Sequence, residues 1–244
     1  MLGVIPARYG ASRFPGKPLA MLWGKPMLQH VWERARAASG LTALVIATDD
    51  ERIAIAARGF GAEVAMTSAS HASGTDRVAE VARRRAEFDV VLNLQGDEPE
   101  LDSDAVSKLV KAMRDDSAIA MATIAHVEEE PRALAAEDVV KVVVDASGFA
   151  LYFSRADVGA GSRGGPALRH VGVYGFRRSF LLEFAGWPES ALEKAERLEQ
   201  LRALERGVRI KVIQSARAFA GVDTPEQLAA LEERGPQIHR GTGS

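Results

Sequence analysis

Three cations stand close together in a loop near the start of the chain, at Arg8, Arg13 and Lys17. The segment over residues 5–19 reads IPARYGASRFPGKPL; its glycines let backbone approach phosphate oxygens, and its prolines restrict the loop. It matches neither G-x-x-x-x-G-K-S/T nor G-x-G-x-x-G. Taken alone, this segment is either a cradle for a triphosphate or a solvated loop that carries three cations.

Two aspartates, Asp97 and Asp223, have the chemistry to bind a divalent metal ion. Asp97 lies in the loop QGDEP after a buried strand, and Mg²⁺ prefers one or two carboxylates completed by phosphate and water oxygens. For Asp223 there is a second interpretation, since a negative charge just before a helix stabilises that helix by about 0.3 to 1 kcal/mol. We interpret Glu98 as structural. For the aspartates at 49–50, a helix cap is favoured over a contact with a ligand.

Two further segments are candidates for recognising a base or a sugar. The loop at 71–77, HASGTDR, has small polar residues and a glycine that suit a base edge, while Thr75 can also cap the following helix. On the helix predicted over 190–207, Glu199 lies about 160° around the axis from Leu201. Glu199 therefore faces away from the apolar stripe, toward either water or a binding site.

These candidates need a scaffold, and short apolar runs that alternate with helical periodicity predict βαβ units and a mostly parallel sheet. Ligands bind such sheets beyond the carboxyl ends of the strands, where the loops described above lie. Strands are predicted at 2–6, 44–48, around Val64, and at 90–94, 119–124, 139–145, 149–153 and 208–213, with 139–153 forming a hairpin. Helices are predicted at 27–38, 50–59, 75–87, 104–114 and 190–207, with one more from Thr224.

The expected organisation is one domain over residues 1–234, with a sugar-binding or dimerisation elaboration at about 126–190. Two capping boxes mark helix starts, Ser190 with Glu193 and Thr224 with Gln227. The segment GAGSRGG is predicted to be a flexible loop, and 235–244 a disordered tail.

Composition excludes several classes of function. The net charge is -2, from 31 Lys+Arg against 33 Asp+Glu, so no global positive field holds nucleic acid. The chain has no cysteine, which removes thiolate nucleophiles and zinc-thiolate sites and fits a reducing compartment. No apolar run approaches the roughly 18 to 20 residues of a membrane span, and no signal peptide is evident. We therefore expect a cytoplasmic protein that binds neither nucleic acid nor membrane.

The first motif resembles the opening motif of the CMP-KDO synthetases, the 3-deoxy-manno-octulosonate cytidylyltransferases, and a series in the same order follows it. That series is ATDD at 47–50, HASGTDR at 71–77, NLQGDEP at 93–99, VKVV at 140–143, LYFSRA at 151–156, HVGVYGFR at 170–177, LEQLR at 198–202 and GVDTPEQL at 221–228. Because the resemblance covers nearly the whole chain, it implies a Rossmann-like, GT-A-like nucleotidyltransferase fold of the α/β class.

The resemblance also implies roles for individual residues. Asp97 and Asp223 would be catalytic ligands of Mg²⁺, with Lys17 and Arg8 acting on the phosphates. The implied nucleotide-binding residues are Ala7, Arg8, Arg13, Lys17, Ser73 and Gly74. The implied sugar-binding residues are Gln95, Arg155, His170, Tyr174, Glu199 and Gln200. Without this resemblance, we would interpret His170 as a structural histidine whose ring nitrogens have hydrogen-bond partners.

The implied reaction transfers CMP from CTP to the anomeric 2-hydroxyl of KDO, with release of pyrophosphate, for lipopolysaccharide biosynthesis. The relatives are commonly homodimers. After Arg155 the chain departs from the family pattern, because Asp157 stands where Ile-Pro and a longer loop are usual. This departure keeps another sugar acid open, such as 8-amino-KDO or a sialic acid. A GT-A-like glycosyltransferase and a non-catalytic nucleotide-binding protein are the more distant alternatives.

Overall fold

The first apolar run forms a strand that is buried on both faces. In β1, Leu2–Ala7, the side chains of Leu2 and Val4 face one helical layer, and those of Ile5 and Ala7 face the other. A strand covered on both sides belongs in the interior of an α/β sheet.

The fold comes from a computed structural model. It describes residues 1–10, 14–128, 136, 139–158, 168–219 and 221–236. The strands after β1 are β2 (Met21–Leu22), β3 (Lys25–Pro26), β4 (Ala43–Thr48), β5 (Glu63–Met66), β6 (Val90–Asn93), β7 (Met121–Val127), β8 (Lys141–Val144), β9 (Ala150–Ser154), β10 (Leu168–Arg177) and β11 (Ile210–Ser215). A short 3-10 helix covers Lys17–Leu19. The α-helices are α1 (Met27–Arg36), α2 (Glu51–Gly59), α3 (Gly74–Arg84), α4 (Ser103–Asp115), α5 (Arg178–Phe184), α6 (Ala191–Glu196), α7 (Leu201–Glu205) and α8 (Pro225–Arg234).

The main sheet has the strand order β11-β7-β10-β6-β1-β4-β5, with the β8–β9 hairpin joined to it through β10. Strands β6, β1, β4 and β5 run parallel to one another, and β11 runs parallel to β7. Strand β10 is antiparallel to both β6 and β7. The expected α/β class with a mostly parallel central sheet is confirmed, while the antiparallel insertion of β10 between two parallel groups was not predicted.

Helices cover both faces of the sheet. One layer packs α1, α2 and α4 against the sheet, with Leu28, Ile53 and Leu109 fully buried there. The other layer packs α3, α5 and α7, with Val78 and Leu181 fully buried. The two layers hold the central strands rigid, so their carboxyl ends are a firm base for the loops that carry the candidate residues.

The helix predicted over 190–207 is wrong as a single helix. It breaks at Arg197, which adopts a left-handed conformation with φ of 56°, and the backbone N–H groups of Arg197 and Leu198 both donate to the carbonyl of Glu193. A non-glycine residue in this conformation costs about 1 to 2 kcal/mol. A buried ion pair spans the break, since Arg202 donates to both carboxylate oxygens of Glu193 at 2.6 and 2.7 Å.

The other predicted helices and strands are confirmed, with shifted ends. The hairpin around residues 147–148 is the pair β8–β9, and Gly148 has the positive φ of 74° that its turn needs. The predicted flexible loop at 159–165 and most of the predicted tail, residues 237–244, lie outside the described residues. The single domain with an elaboration at about 126–190 stays a prediction.

Candidate functional site

The site begins where β1 and β6 end side by side. Parallel pairing aligns Val4 with Asn93, and the N–H of Leu94 continues the ladder to the carbonyl of Val4 at 2.9 Å. At Gly96 the loop after β6 passes so close to β1 that an added Cβ would lie 3.0 Å from the carbonyl oxygen of Pro6. The missing side chain at Gly96 therefore lets the two backbones approach each other.

Lys17 joins the two predicted metal-binding aspartates. Its Nζ lies 2.8 Å from Oδ2 of Asp97 and 3.2 Å from Oδ1 of Asp223. The Lys17 side chain is 12% exposed, whereas those of Asp97 and Asp223 are 30% and 42% exposed. A partly buried ammonium thus neutralises part of the charge of two carboxylates that remain open to a ligand.

Backbone contacts fix the segment that carries Asp223. The N–H of Val222 donates to the carbonyl of Asp97 at 2.8 Å, so the last helix is tied to the loop after β6. Thr224 and Gln227 form the predicted capping box at the start of α8. Gln227 Oε1 also accepts from the N–H of Asp223 at 2.6 Å. Because Thr224 supplies the cap, the carboxylate of Asp223 can turn to Lys17.

Glu98 is a buried carboxyl beside these groups. It is 8% exposed, and its Oε2 has no hydrogen-bond partner. Burial, followed by the charge of Asp97, raises the pKa of Glu98 well above its usual range. This environment agrees with the structural interpretation of Glu98, since a neutral buried carboxyl adds no charge to the ligands beside it.

A cavity of about 280 Å³ opens at this edge of the sheet. The predicted site residues that line it are Ala7, Arg8, Lys17, Ser73, Gly74, Gln95, Asp97 and Asp223. Arg8 is exposed, so its guanidinium is available to an anion in the cavity. Arg13 lies outside the described residues. The structure thus brings the predicted nucleotide and metal residues that it describes onto one surface.

The capping role expected for Thr75 is wrong. Ser73 caps α3, because its Oγ accepts from the N–H of Asp76 and its own N–H donates to the Asp76 carboxylate, both at 3.1 Å. Thr75 falls in the first turn, where its hydroxyl is turned inward and donates to Glu199. At the start of the preceding helix the expected cap is confirmed, since Asp50 caps α2.

Two cavity residues, His71 and Arg77, were not predicted as site residues. Arg77 is 4% exposed; its guanidinium lies 3.1 Å from Oδ1 of Asp49 and donates to the hydroxyl of Thr67 at 2.5 Å. His71 contacts Glu80 through Nε2. The signal available in the sequence was that His71 and Arg77 are the first and last residues of the small polar loop HASGTDR.

A chain of polar contacts leaves the cavity toward the predicted sugar-binding residues. Gln95 contacts Asn93 at 3.5 Å, Asn93 donates to the hydroxyl of Thr75 at 3.3 Å, and Thr75 donates to Glu199. Burial raises the pKa of Glu199, and the hydrogen bond from Thr75 opposes that rise. Because Arg197 breaks the helix, the helical angle used to orient Glu199 does not apply, and its carboxylate is turned toward α3.

His170 and Tyr174 lie on β10 beside this chain, with ring centroids 5.5 Å apart. Nε2 of His170 lies 2.9 Å from the hydroxyl of Thr123, which donates to the carbonyl of Val173. Burial lowers the pKa of His170 to about 3, and burial together with Glu199 raises the pKa of Tyr174 well above its usual range.

Arg155 and Gln200, like Glu199, His170 and Tyr174, lie outside the lining of the cavity. Arg155 donates from its backbone N–H to the carboxylate of Glu196 at 3.0 Å and from Nε to the Glu196 carbonyl at 3.2 Å. Gln200 is 3% exposed, and its Nε2 has no hydrogen-bond partner. Neither of these two residues lines the cavity.

The donor set fits a divalent ion of the magnesium type. Asp97 and Asp223 present carboxylate oxygens to one cavity and already share one cation, the ammonium of Lys17. Within the described residues no group of three or more His, Cys, Asp or Glu residues could hold a metal ion. The two aspartates would therefore hold an ion whose other ligands come from phosphate and water, as Mg²⁺ commonly does.

In the described part of the chain, no helix has both the length and the apolar character to span a bilayer.

Comparison with known proteins gives one consistent result. The family model described as cytidylyltransferase matches residues 2–210. The 3-deoxy-manno-octulosonate cytidylyltransferase of Solibacter usitatus (strain Ellin6076) is 49% identical over 231 residues, which cover 93% of this chain and 91% of that protein. The 8-amino-3,8-dideoxy-manno-octulosonate cytidylyltransferase of Shewanella sediminis (strain HAW-EB3) is 48% identical over 236 residues, covering 95% and 96%.

A solved structure agrees. It is that of CMP:2-keto-3-deoxy-manno-octonic acid synthetase complexed with CTP, at 44% identity and a TM-score of 0.90, with 96% of this chain and 97% of the other covered.

Proposed function

This chain belongs to the cytidylyltransferase family, and from that premise we propose that it transfers CMP from CTP to KDO, for lipopolysaccharide biosynthesis. The observation that carries the proposal is the meeting of Lys17, Asp97 and Asp223 at one cavity. An ammonium between two partly exposed carboxylates suits a polyphosphate that arrives with a divalent ion.

The reaction is an in-line displacement. The oxygen of the anomeric 2-hydroxyl forms a bond to the α-phosphorus of CTP, the bond from that phosphorus to the bridging oxygen breaks, and pyrophosphate leaves. The hydroxyl proton passes to water. No covalent intermediate with the protein is required, so catalysis rests on positioning and on stabilising the developing charge.

The predicted nucleotide and metal residues that line the cavity each have a role in this reaction. Arg8 and Lys17 stabilise the negative charge on the departing phosphates, a role that Arg13 shares in the proposal. Asp97 and Asp223 would hold Mg²⁺, which when bound would neutralise phosphate charge and lower the pKa of the attacking hydroxyl. Ala7, Ser73 and Gly74 border the base. Once a polyphosphate enters, the ammonium of Lys17 can exchange its carboxylate partners for phosphate oxygens.

The sugar side is assigned to the residues of the polar chain and their neighbours. Gln95, His170, Tyr174, Glu199, Gln200 and Arg155 form the proposed sugar-binding set. A sugar acid offers hydroxyls and a carboxylate, so amide, phenol and guanidinium groups suit it. The unpartnered Nε2 of buried Gln200 supports this assignment, because a buried donor without a partner costs free energy until a ligand satisfies it.

The experiment that tests the proposal measures pyrophosphate release and CMP-sugar formation with CTP, Mg²⁺ and KDO. UTP in place of CTP and omission of KDO are the controls. We expect pyrophosphate only when CTP and KDO are both present, with an equal amount of CMP-KDO. If CTP binds but no sugar acid gives pyrophosphate, the proposed activity is wrong.

A second acceptor, 8-amino-KDO, is favoured by one observation. The Shewanella relative named for that amino sugar is 48% identical, close to the 49% of the Solibacter relative named for KDO. The same assay with both sugars decides between them, since the larger kcat/KM identifies the better acceptor. A sialic acid serves as the third sugar of the panel.

Three further parts of the proposal rest on the family resemblance: the Mg²⁺ requirement, a homodimer and a cytoplasmic location. Chelation with EDTA followed by return of Mg²⁺ tests the first. Light scattering on the eluting protein tests the second, with a mass of about twice 26.2 kDa expected for the dimer. Fractionation of cells tests the third.

A further inference from the structure

We propose that Tyr9 is a positioning residue for Lys17, held in place by contacts with the guanidinium of Arg52 and with Gly16. This arrangement is called the Arg52–Tyr9–Gly16 stack below. The inference rests on the proposed function, because it assigns Tyr9 a role in the use of CTP.

The contact between Tyr9 and Gly16 closes the basic loop. The N–H of Gly16 donates to the carbonyl of Tyr9 at 2.8 Å, and an added Cβ at Gly16 would lie 3.2 Å from Cζ and the hydroxyl oxygen of the Tyr9 ring. Gly16 also has a positive φ of 75°. Both the space and the backbone conformation therefore call for glycine, and the ring packs directly on the backbone that precedes Lys17.

Arg52 contacts the Tyr9 ring. Its Cζ lies 3.4 Å from the ring centroid. The guanidinium is oriented by Asp50, since Nε and Nη2 donate to its two carboxylate oxygens at 3.0 and 2.6 Å. Asp50 is in turn the N-cap of α2. The position of the Tyr9 ring is thus set by a helix of the rigid layer.

The stack connects to the reacting end of the site through one turn of backbone. Gly16 precedes the 3-10 helix Lys17–Leu19, and the N–H of Leu19 donates to the carbonyl of Gly16 at 2.8 Å. Lys17 then reaches Asp97 and Asp223. A ring that fixes Gly16 therefore fixes the start of the Lys17 side chain, and loss of the ring lets the ammonium move away from the phosphates.

The test compares four variants by steady-state kinetics. Tyr9→Phe keeps the ring, Tyr9→Ala removes it, and Arg52→Ala removes the stacked cation. Arg58→Ala is the matched control, since Arg58 lies on the same helix and pairs with Glu51 at 3.0 Å without contacting Tyr9. For Arg52→Ala we expect KM for CTP to rise about two- to fivefold, the size of one exposed cation–π contact.

The other variants follow from the same geometry. Tyr9→Ala is expected to raise KM for CTP by at least about tenfold, because the packing against Gly16 is lost together with the cation–π contact. Tyr9→Phe and Arg58→Ala should stay within about twofold of the wild type. KM for the sugar acid should not change in any of them. Rescue by Tyr9→Phe separates positioning by the ring from a role of the hydroxyl.

An unchanged KM for CTP in folded Tyr9→Ala protein overturns the inference, as does an equal rise in both KM values. If Tyr9→Ala does not fold, Arg52→Ala against Arg58→Ala decides by the same criterion. If the wild type makes no CMP-sugar, the proposed function fails separately. The stack is then tested by CTP binding in calorimetry, where weaker binding by Arg52→Ala but not Arg58→Ala supports it and equal binding overturns it.

Discussion

The ammonium of Lys17 lies 2.8 Å from Oδ2 of Asp97, although 80 residues separate the two in the chain. The loop after β1 supplies the cation and the loop after β6 supplies the carboxylate, and parallel pairing of the two strands brings those loops together. Asp223 completes the group from the segment before α8. Three distant segments thus place opposite charges around one cavity.

Replacement of Asp97 by Asn should lower turnover by at least about a hundredfold, the usual cost of losing one preorganised electrostatic group. The amide keeps the size of the side chain but not its charge, so the fold should remain intact by circular dichroism. Asp115→Asn is the matched control, because Asp115 is an exposed aspartate paired with Lys111 on α4. Near-normal turnover of Asp97→Asn would remove Asp97 from the metal site.

Replacement of Lys17 by Met should have opposite effects on two ligands. Without the ammonium, Asp97 and Asp223 repel each other, so the free protein should bind Mn²⁺, as a probe for Mg²⁺, severalfold more tightly. KM for CTP should rise by at least about tenfold, because a cation for the phosphates is lost. Lys111→Met, which breaks an exposed pair with Asp115, is the control for both measurements. Weaker Mn²⁺ binding in Lys17→Met would contradict the view that Lys17 occupies the cation position.

Replacement of Thr75 by Val should affect the sugar more than the nucleotide. The Thr75 hydroxyl donates to Glu199 and accepts from Asn93, and valine keeps its shape but makes neither bond. Because a hydrogen bond to a charged group contributes about 1.5 to 3 kcal/mol, KM for the sugar acid should rise by about tenfold or more. KM for CTP should change by less than about twofold, and Thr75→Ser should behave as wild type. If the Val variant changes only KM for CTP, the assignment of the polar chain to the sugar side is contradicted.

Replacement of His170 by Gln should change how stability depends on pH. The folded pKa of His170 is about 3, below its usual 6.5, so the unfolded chain binds more protons between these values. Wild-type stability should therefore fall as pH drops through this window, by up to about 1.4 kcal/mol per pH unit from this group. Glutamine does not titrate. We therefore compare the free energy of urea unfolding of wild type and variant at about pH 7.5 and at about pH 5. On going to the lower pH, the wild type should lose up to about 2 kcal/mol of stability relative to the variant. A difference that is independent of pH would show that His170 is not held neutral.

Most of the scaffold could be predicted because its signals are local. The period of apolar residues, the caps at Asp50, Ser190 and Thr224, and the turn at Gly148 depend only on nearby residues. The predicted helix over 190–207 failed for the opposite reason. Its caps and stripe are helical, yet Arg197 is left-handed in a segment that the Glu193–Arg202 pair holds together.

The candidate site divides in the same way. Ordered motifs identified the loops that carry Lys17, Asp97 and Asp223, but not the single ammonium between the two carboxylates. The Thr75–Glu199 hydrogen bond and the Arg52–Tyr9 contact could not be predicted from the sequence either.

The sequence by itself determined the α/β class, most of the strands and helices and the loops that hold charged residues, because short-range sterics and hydrophobic periodicity depend on neighbouring positions. Only the tertiary structure decided which side chains share a proton, a cation or a ring face. Those contacts join residues far apart in the chain, and their energies depend on distances that are set when the sheet and its two helical layers pack together.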